Sequence, residues 1–377
     1  MALRISLFYA AIFSVIGVMM PFWPVWLKAQ GMTPIQIGLI LAAGTWTRAI
    51  LNPLLAQTAD RQGRPDILII GLGWGALGLH TLLLFTNGFW PLFVVCVIAS
   101  TLLFALMPMA DAVTMLKVRK GLIDYGRVRL WGSLTFIVTA IGGGYLLKDK
   151  TEDLILWLVI GLLIITVGSC HIVPRSDTSG TKRFLEPLTY IFRNRSLLFF
   201  ILAASLIQAS HAVYYGFSTL HWRAQGINEA IIGILWAEGV IAEIILFAVA
   251  GKYIEKIGPV KFLALAIVAG LIRWTVLGLT TEIMALVVVQ MLHAFTFGAT
   301  HLAALYFIAR NIPAEFTSTA QSFYSSFAVG ITMSLALLSA GWLYEVFEGK
   351  SFFAMIILVS IAGFMFPLIT QKGKKFS

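Results

Sequence analysis

Five ionisable side chains stand inside long apolar stretches of this sequence, where water cannot solvate them. They are Arg48, Asp111, Glu238, Glu243 and Arg273. A charge in the hydrocarbon of a membrane is costly, so such residues usually pair with one another or mark the path of a substrate or proton. Four histidines share these stretches: His80, His211, His293 and His301. These residue types predict a site that handles charge inside a membrane.

Asp111 and Arg129 lie on two consecutive apolar stretches that a short basic loop connects. Two helices joined in this way form a hairpin, so we expect the carboxylate and the guanidinium to meet and neutralise each other. Together an acid and a fork-shaped base can hold hydroxyls or a carboxylate by charge-assisted hydrogen bonds. A purely structural ion pair is the alternative.

Two carboxylates, Glu238 and Glu243, share one predicted helix. Five residues separate them, which is about 140° around a helix, so they cannot both face one cavity squarely. A carboxyl group in apolar surroundings tends to keep its proton. That property suits a group that takes up and releases one proton in each cycle.

The composition explains why burying these charges is energetically unfavourable. Of the 377 residues 59% are hydrophobic and only 12% are charged, whereas soluble domains are about half apolar and about a quarter charged. The sequence therefore predicts an integral membrane protein, with the lipid bilayer as its surroundings. Cys96 and Cys170 both fall in apolar stretches, which argues against a disulfide framework and against a metal site.

The distribution of the positive charge, which gives the chain a net charge of +10, indicates how it is oriented in the membrane. Most of the 27 Lys and Arg residues lie in alternate loops and near both ends of the chain. This is the positive-inside pattern and predicts that both termini are cytosolic. No nucleic-acid motif accompanies the positive charge, so a nucleic-acid partner is not expected.

Apolar stretches of about 20 residues, the length needed to cross a bilayer, occur twelve times. They predict an all-α membrane protein of twelve transmembrane helices in two six-helix halves. A polar break divides residues 1–173, an N-terminal six-helix bundle, from residues 197–377, a C-terminal one, and residues 174–196 form a cytosolic central loop. The predicted spans are 4–27, 34–57, 66–86, 90–116, 128–147, 153–173, 197–221, 229–250, 260–280, 283–309, 316–344 and 351–371.

The two halves repeat each other. Residues 28–31 (KAQG) match residues 223–226 (RAQG), and residues 60–63 (DRQG) match residues 255–258 (EKIG), at one constant offset of 195 residues. A shared register over this length indicates a duplicated six-helix unit. In transporters such a unit places the substrate near the membrane midplane, at the interface of the repeats.

The second repeated string resembles the cytosolic loop signature of the major facilitators, Gly-x-Leu-Ala-Asp-Arg-x-Gly-Arg-Lys. Its acids and bases can pair across helix ends and hold one state of the protein. An ordinary charged turn is the alternative. The predicted gating residues are Asp60, Arg61, Gly63 and Arg64 in the first half, and Glu255, Lys256 and Gly258 in the second.

Over nearly its whole length the sequence resembles the 3-phenylpropionic acid transporter family of the major facilitators. The matching strings are 21–28 (PFWPVWLK), 124–133 (DYGRVRLWGS), 211–218 (HAVYYGFS), 235–236 (LW), 239–243 (GVIAE), 273–274 (RW) and 301–304 (HLAA). The resemblance implies the major facilitator fold, with two pseudo-symmetric halves, and the transport of a small solute.

A more distant likeness is to lactose permease and the oligosaccharide:proton symporters. It implies substrate-binding roles for Asp111, Arg129 and an aromatic residue at Phe136, and proton coupling near Arg273 and His293. The coupling carboxylate of that family stands three residues after the histidine, where this chain has Thr296. Another acid must then carry the proton, and we expect Glu243 first and Glu238 second.

The leading hypothesis is proton-driven import of a small aromatic carboxylate such as 3-phenylpropionate. Arg129 or Arg48 would receive the carboxylate, and Glu243 or Asp111 would carry the proton. The predicted substrate-binding residues are Asp111, Arg129, Arg48, Phe136, His211 and Tyr215, and the predicted proton-coupling residues are Glu243, Glu238, Arg273 and His293.

Several alternatives remain open at this stage. They are a sugar or nucleoside:proton symporter, an efflux carrier, and a non-transporting receptor. An enzyme is not expected because no catalytic arrangement of Ser, His, Asp or Cys stands out. We expect a monomer in a bacterial inner membrane that uses a proton gradient, with no cofactor and no metal.

Overall fold

The computed structural model describes residues 1–62, 64–174, 194–312 and 317–370. Every regular element in these ranges is a helix. The chain forms two compact units. The first holds the described part of Met1–Thr181 together with Thr219–Ala237, and the second holds the described part of Lys182–Ser218 together with Glu238–Ser377.

The first six helices belong to the first unit. They are α1 (Ala2–Ala29), α2 (Pro34–Gln62), α3 (Pro65–Leu82), α4 (Phe89–Arg119), α5 (Tyr125–Leu147) and α6 (Asp153–His171). The apolar α1 is the most enclosed of them, with 78% of its most hydrophobic window buried. Hydroxyl groups of α5 and α6 donate to α1 carbonyl oxygens, Thr135 to Ala10 at 2.9 Å and Thr166 to Ala11 at 3.1 Å. These bonds fix α1 at the centre of the unit.

The following ten helices complete the chain. They are α7 (Arg195–Ala209), α8 (Ala212–Ala224), α9 (Glu229–Ile257), α10 (Pro259–Leu279), α11 (Ile283–Met291), α12 (Thr300–Asn311), α13 (Thr317–Ser325), α14 (Met333–Phe347), α15 (Phe352–Phe364) and α16 (Phe366–Thr370). The sequence predicts one unbroken span over 197–221. The structure instead breaks it between α7 and α8, at Ser210 and His211.

Two π-helical segments interrupt the second unit, Ala294–Ala299 between α11 and α12 and Ser326–Thr332 between α13 and α14. A π-helical turn adds a residue to the helix and often occurs at functional sites. The first of these segments follows His293 directly and contains Thr296, so it sets the direction of the Thr296 side chain relative to His293.

Eleven helical stretches in the described residues are long and apolar enough to cross a membrane. The last of them, Phe323–Thr370, is 48 residues long and contains most of the last two predicted spans. The chain is therefore a multi-pass helical membrane protein. The count of twelve spans, the cytosolic termini and the boundaries of the two six-helix bundles stay predictions.

The matching loops of the repeat share one backbone conformation. Gly31 has φ +80° and Gly226 has φ +84°, a left-handed region that favours glycine. In both loops the glycine N–H bonds three residues back, and the next N–H bonds five residues back, Met32 to Leu27 at 3.2 Å and Ile227 to Trp222 at 3.0 Å. This is the Schellman form of helix end, built twice around the same Ala-Gln-Gly sequence.

Within the first unit, α5 lies close against the beginning of α9. A side chain carbon added at Gly144 would overlap the Glu229 carbonyl group and would lie 3.2 Å from Cα of Ala230. Beside this contact Arg223 donates to Glu152 at 3.0 Å and to Glu229 at 2.7 Å. The Arg223 guanidinium forms a hydrogen bond that holds the pKa of the Glu152 carboxyl below its usual range.

Candidate functional site

A fully buried arginine is the centre of a polar cluster in the second unit. Arg273 on α10 is 0% exposed. Its Nη1 lies 2.9 Å from His293 Nδ1 and donates to Thr296 Oγ1 at 3.0 Å. Its Nη2 donates to Gln290 Oε1 at 2.9 Å. These contacts satisfy much of a charge that hydrocarbon would otherwise penalise heavily.

Glu243 supplies the negative charge of this cluster. Its Oε1 lies 2.7 Å from His293 Nε2, and its side chain is 14% exposed. His293 therefore stands between the carboxylate of α9 and the guanidinium of α10. The structure brings together three of the four residues predicted for proton coupling, namely Glu243, Arg273 and His293. A mostly buried acid in contact with a titratable ring is suited to binding and releasing a proton.

Glu238, the fourth of those residues, lies elsewhere on α9. Its side chain is half-buried and has no hydrogen bond or ion pair among the residues that the structure describes. The separation of Glu238 from the cluster agrees with the angle of about 140° between the two positions on one helix.

Aromatic side chains surround the cluster. The Arg273 guanidinium lies over the rings of Tyr214 at 4.6 Å and Trp274 at 4.8 Å, which are favourable cation–π contacts. His211 stacks on Tyr215 at 5.5 Å and lies 5.3 Å from His293. The sequence grouped His211 and Tyr215 with the predicted substrate-binding residues. In the structure both side chains lie beside the proton-coupling candidate His293, in the second unit.

Asp111 forms a second polar centre, in the first unit. The hydroxyl of Tyr9 donates to Asp111 Oδ1 at 2.6 Å, and that of Tyr125 donates to the same oxygen at 3.1 Å. Tyr9 is fully buried and also contacts Thr114 at 3.2 Å. The carboxylate is therefore held by two phenol groups, one from α1 and one from the first turn of α5.

The expected ion pair between Asp111 and Arg129 is not formed in this structure. The Arg129 guanidinium lies over the rings of Phe13 at 4.0 Å and Tyr9 at 5.6 Å. Within the described ranges it makes no hydrogen bond to a carboxylate. Two hydroxyl groups satisfy Asp111 and two aromatic faces hold Arg129. Tyr9 serves both, because its hydroxyl donates to Asp111 and its ring lies against Arg129.

Two nitrogen atoms of Arg48 donate hydrogen bonds within its own helix. Its Nε donates to the Gly44 carbonyl at 3.1 Å and its Nη2 donates to Thr45 at 2.7 Å. The guanidinium also lies over the ring of Phe104 at 4.2 Å. Phe136, which the sequence placed against the substrate, is 5% exposed. Arg48 thus has hydrogen bonds within its own helix, whereas Arg129 lies against aromatic rings.

The predicted gating residues are only partly described. Arg64 donates to both carboxylate oxygens of Asp66, at 3.0 and 2.9 Å. Asp60 and Arg61 belong to the last turn of α2 and not to a loop, while their side chains and Gly63 lie outside the described residues. In the second unit Glu255 and Lys256 are exposed, and Gly258 precedes α10 with φ +91°.

Sequence reasoning missed several polar partners. Gln290 donates to Tyr214 at 2.8 Å and so orients the group that binds Arg273. Tyr9 and Tyr125 hold Asp111. A lone Gln three residues before His293, in an otherwise apolar stretch, was an available signal. The tyrosines gave none, because aromatic residues are common throughout this sequence. No group of three metal-binding side chains occurs among the described residues.

Comparisons with known proteins agree with this architecture. Residues 2–355 match the family model described as "MFS_1 like family". The probable 3-phenylpropionic acid transporter of Escherichia coli K12 is 33% identical over 375 residues, which cover 97% of each chain. The maltose permease of Geobacillus stearothermophilus is 24% identical, over 98% of this chain and 94% of its own. The crystal structure of the nucleoside transporter NupG superposes with a TM-score of 0.84 at 14% identity, over 99% of each chain.

Proposed function

Because this chain belongs to the MFS_1 like family of major facilitator transporters, and is therefore a transporter and not an enzyme, we propose that it imports a small aromatic carboxylate together with a proton. The observation that carries the coupling is the 2.7 Å contact between Glu243 and His293, beside the buried Arg273. At this position the charge of the Glu243 carboxyl group depends on whether it is protonated, and its proton affinity depends on the distance to Arg273.

The substrate class rests on the relative named a probable 3-phenylpropionic acid transporter, which matches along almost the whole chain. We propose 3-phenylpropionate or a close analogue. In the first unit Arg129 offers its guanidinium to the carboxylate, because the described residues leave it without a carboxylate partner. The rings of Phe13 and Tyr9 next to it are suited to an aromatic body.

The setting of this activity is part of the proposal. By analogy with the relative from Escherichia coli we place the chain in the inner membrane of a bacterium. We propose that it works as a monomer and that the proton gradient alone drives it, with no cofactor.

A sugar or nucleoside is the second candidate substrate. The hydroxyls of Tyr9 and Tyr125 and the carboxylate of Asp111 form a set of donors and acceptors suited to the hydroxyl groups of a sugar. The maltose permease relative and the similarity in fold to NupG also favour this class.

Uptake of labelled 3-phenylpropionate into energised membrane vesicles tests the proposal. We expect accumulation that a protonophore abolishes and that excess maltose does not compete. Absence of any uptake of the acid would refute the substrate assignment, and a panel of sugars and nucleosides would then test the second candidate.

The coupling role has a matched control within one helix. Glu243→Gln should abolish uphill accumulation and leave counterflow of labelled against unlabelled substrate intact. Glu238→Gln removes a carboxylate from the same helix but from outside the cluster, and it should leave both assays unchanged. Proton-driven accumulation by Glu243→Gln vesicles would exclude this residue as the proton carrier.

A further inference from the structure

Arg273 sets the direction of the hydrogen bonds around it. A guanidinium has N–H donors and no acceptor, so every side chain atom in hydrogen-bond contact with it must accept. His293 Nδ1 at 2.9 Å and Thr296 Oγ1 at 3.0 Å both face the same Nη1, which has two hydrogens to give. Each of these two atoms therefore accepts one hydrogen bond from Arg273.

This direction fixes the tautomer of His293. A ring whose Nδ1 accepts carries its proton on Nε2, and that proton is donated to Glu243 Oε1 at 2.7 Å. Adding a proton at Nδ1 would place two N–H groups against each other. While Arg273 keeps this position, the next proton cannot bind to His293, and Glu243 is left as its acceptor.

The tautomer of His211 follows from the helix break. Its Nδ1 lies 3.2 Å from the Ile207 carbonyl oxygen and 3.1 Å from that of Gln208. These oxygens belong to the last turn of α7, and a carbonyl oxygen can only accept a hydrogen bond. Nδ1 must therefore donate, and Nε2 is left as an acceptor for the Thr296 hydroxyl at 3.0 Å.

Thr296 links the two histidines through Arg273. Its hydroxyl accepts from Nη1 of Arg273 and donates to Nε2 of His211 at 3.0 Å, the shorter of its two acceptor contacts, since the His293 carbonyl oxygen lies at 3.4 Å. All three side chains are fully buried, and water cannot readily replace one of them. The π-helical segment that begins at Ala294 places Thr296 on the same side as His293, which lies three residues before it.

We propose that Thr296 and His211 are positioning residues that hold Arg273 against His293 Nδ1 and thereby direct the transported proton to Glu243. The inference rests on the proposed proton-coupled function for its purpose, although the hydrogen-bond directions stand without it. The other charged or titratable groups that face Glu243 and His293 are Arg273 on α10, Tyr214 and Tyr215 on α8, His211 between α7 and α8, and His301 on α12.

The experiment locates the bound proton in purified full-length protein reconstituted in lipid. Infrared difference spectra over a pH titration report a neutral carboxylic acid, and isotope-labelled histidine reports an imidazolium ring. In the unmodified protein we expect a carboxylic acid band that is absent from Glu243→Gln. Appearance of the imidazolium of His293 before that band would overturn the inference.

Thr296→Val and Thr296→Ser form the matched pair, because only serine keeps the hydroxyl group. The serine variant should protonate Glu243 as the unmodified protein does. In the valine variant Arg273 loses one bond, and the ratio of protonated Glu243 to protonated His293 should fall about tenfold, the usual effect of one hydrogen bond to a charged group. Identical titrations of the valine variant and the unmodified protein would refute the role of Thr296.

A second pair keeps the inference testable if the valine variant fails to fold. His211→Gln can still accept from the Thr296 hydroxyl and should protonate Glu243 normally, whereas His211→Leu cannot accept and should behave as Thr296→Val. Equal behaviour of the two His211 variants would contradict the proposal. Since the spectra need no substrate, they remain decisive even if the protein does not transport 3-phenylpropionate.

Discussion

Gly144→Ala is the most direct test of the close contact between α5 and the beginning of α9. An alanine Cβ at this position would overlap the Glu229 carbonyl group and approach Cα of Ala230 to 3.2 Å. Ordinary contacts between carbon atoms are about 3.5–4.0 Å. Because the obstacle is backbone, the two helices must separate, and overpacking of this kind costs about 1–3 kcal/mol.

Gly142→Ala, two residues earlier on α5, is the matched control. A Cβ there meets nothing within 4 Å. Glycine in a helix interior is less favourable than alanine by about 0.5–1 kcal/mol, so this variant should be stabilised by that amount. The two substitutions make the same chemical change on one helix and should shift stability in opposite directions.

Thermal unfolding of the purified protein in detergent, followed by tryptophan fluorescence, measures the difference. In domains of 150–250 residues about 1 kcal/mol corresponds to about 2–4 °C in Tm, so we expect the midpoints of the two variants to differ by several degrees. If Gly144→Ala unfolded at or above the temperature of Gly142→Ala, the close approach of α5 to Glu229 would be refuted.

Three further predictions concern charge recognition and the loops of the first unit. Arg129→Lys keeps the charge but loses the two-pronged guanidinium, so KM for 3-phenylpropionate should rise about tenfold or more. Arg48→Lys is the control and should leave KM nearly unchanged. Equal effects of the two variants in uptake assays would contradict the assignment to Arg129. Because Arg223 lowers the pKa of Glu152, this ion pair stabilises the protein at neutral pH and weakens as the pH falls below the ordinary pKa of 4.5. The difference in Tm between the unmodified protein and Glu152→Gln should therefore shrink on acidification. A difference that stays constant with pH would contradict a stabilising ion pair. Gly226→Ala forces alanine into φ +84° and should lower stability by about 1 kcal/mol or more in the same unfolding assay. An unchanged Tm would show that the turn does not require this backbone conformation.

The positions of the helices were predictable from the sequence because apolar stretches of membrane length leave few alternatives. The predicted span 4–27 became Ala2–Ala29, and the predicted span 90–116 became Phe89–Arg119. The break at His211 and the π-helical segment after His293 were not predicted. Both depend on a few local hydrogen bonds inside a helix, and hydropathy does not register them.

The candidate site was predictable in its residue types but not in its pairing. Charges inside spans identified Arg273, His293 and Glu243, which the structure brings together. The same reasoning paired Asp111 with Arg129, because adjacency along a hairpin suggests contact. Contact also depends on rotation of each helix and on competing partners, and here tyrosine hydroxyls and aromatic faces compete successfully.

The paired helix ends at Gly31 and Gly226 imply how the two copies of an ancestral segment diverged. Both copies keep the same turn to the level of individual hydrogen bonds. Seventeen residues beyond each glycine, equivalent positions carry opposite charges, Arg48 in one copy and Glu243 in the other. On the predicted duplication, the turn is the conserved feature and the interior charge is the one that differs between the copies. Two fused copies can carry opposite charges at equivalent positions, whereas identical subunits cannot.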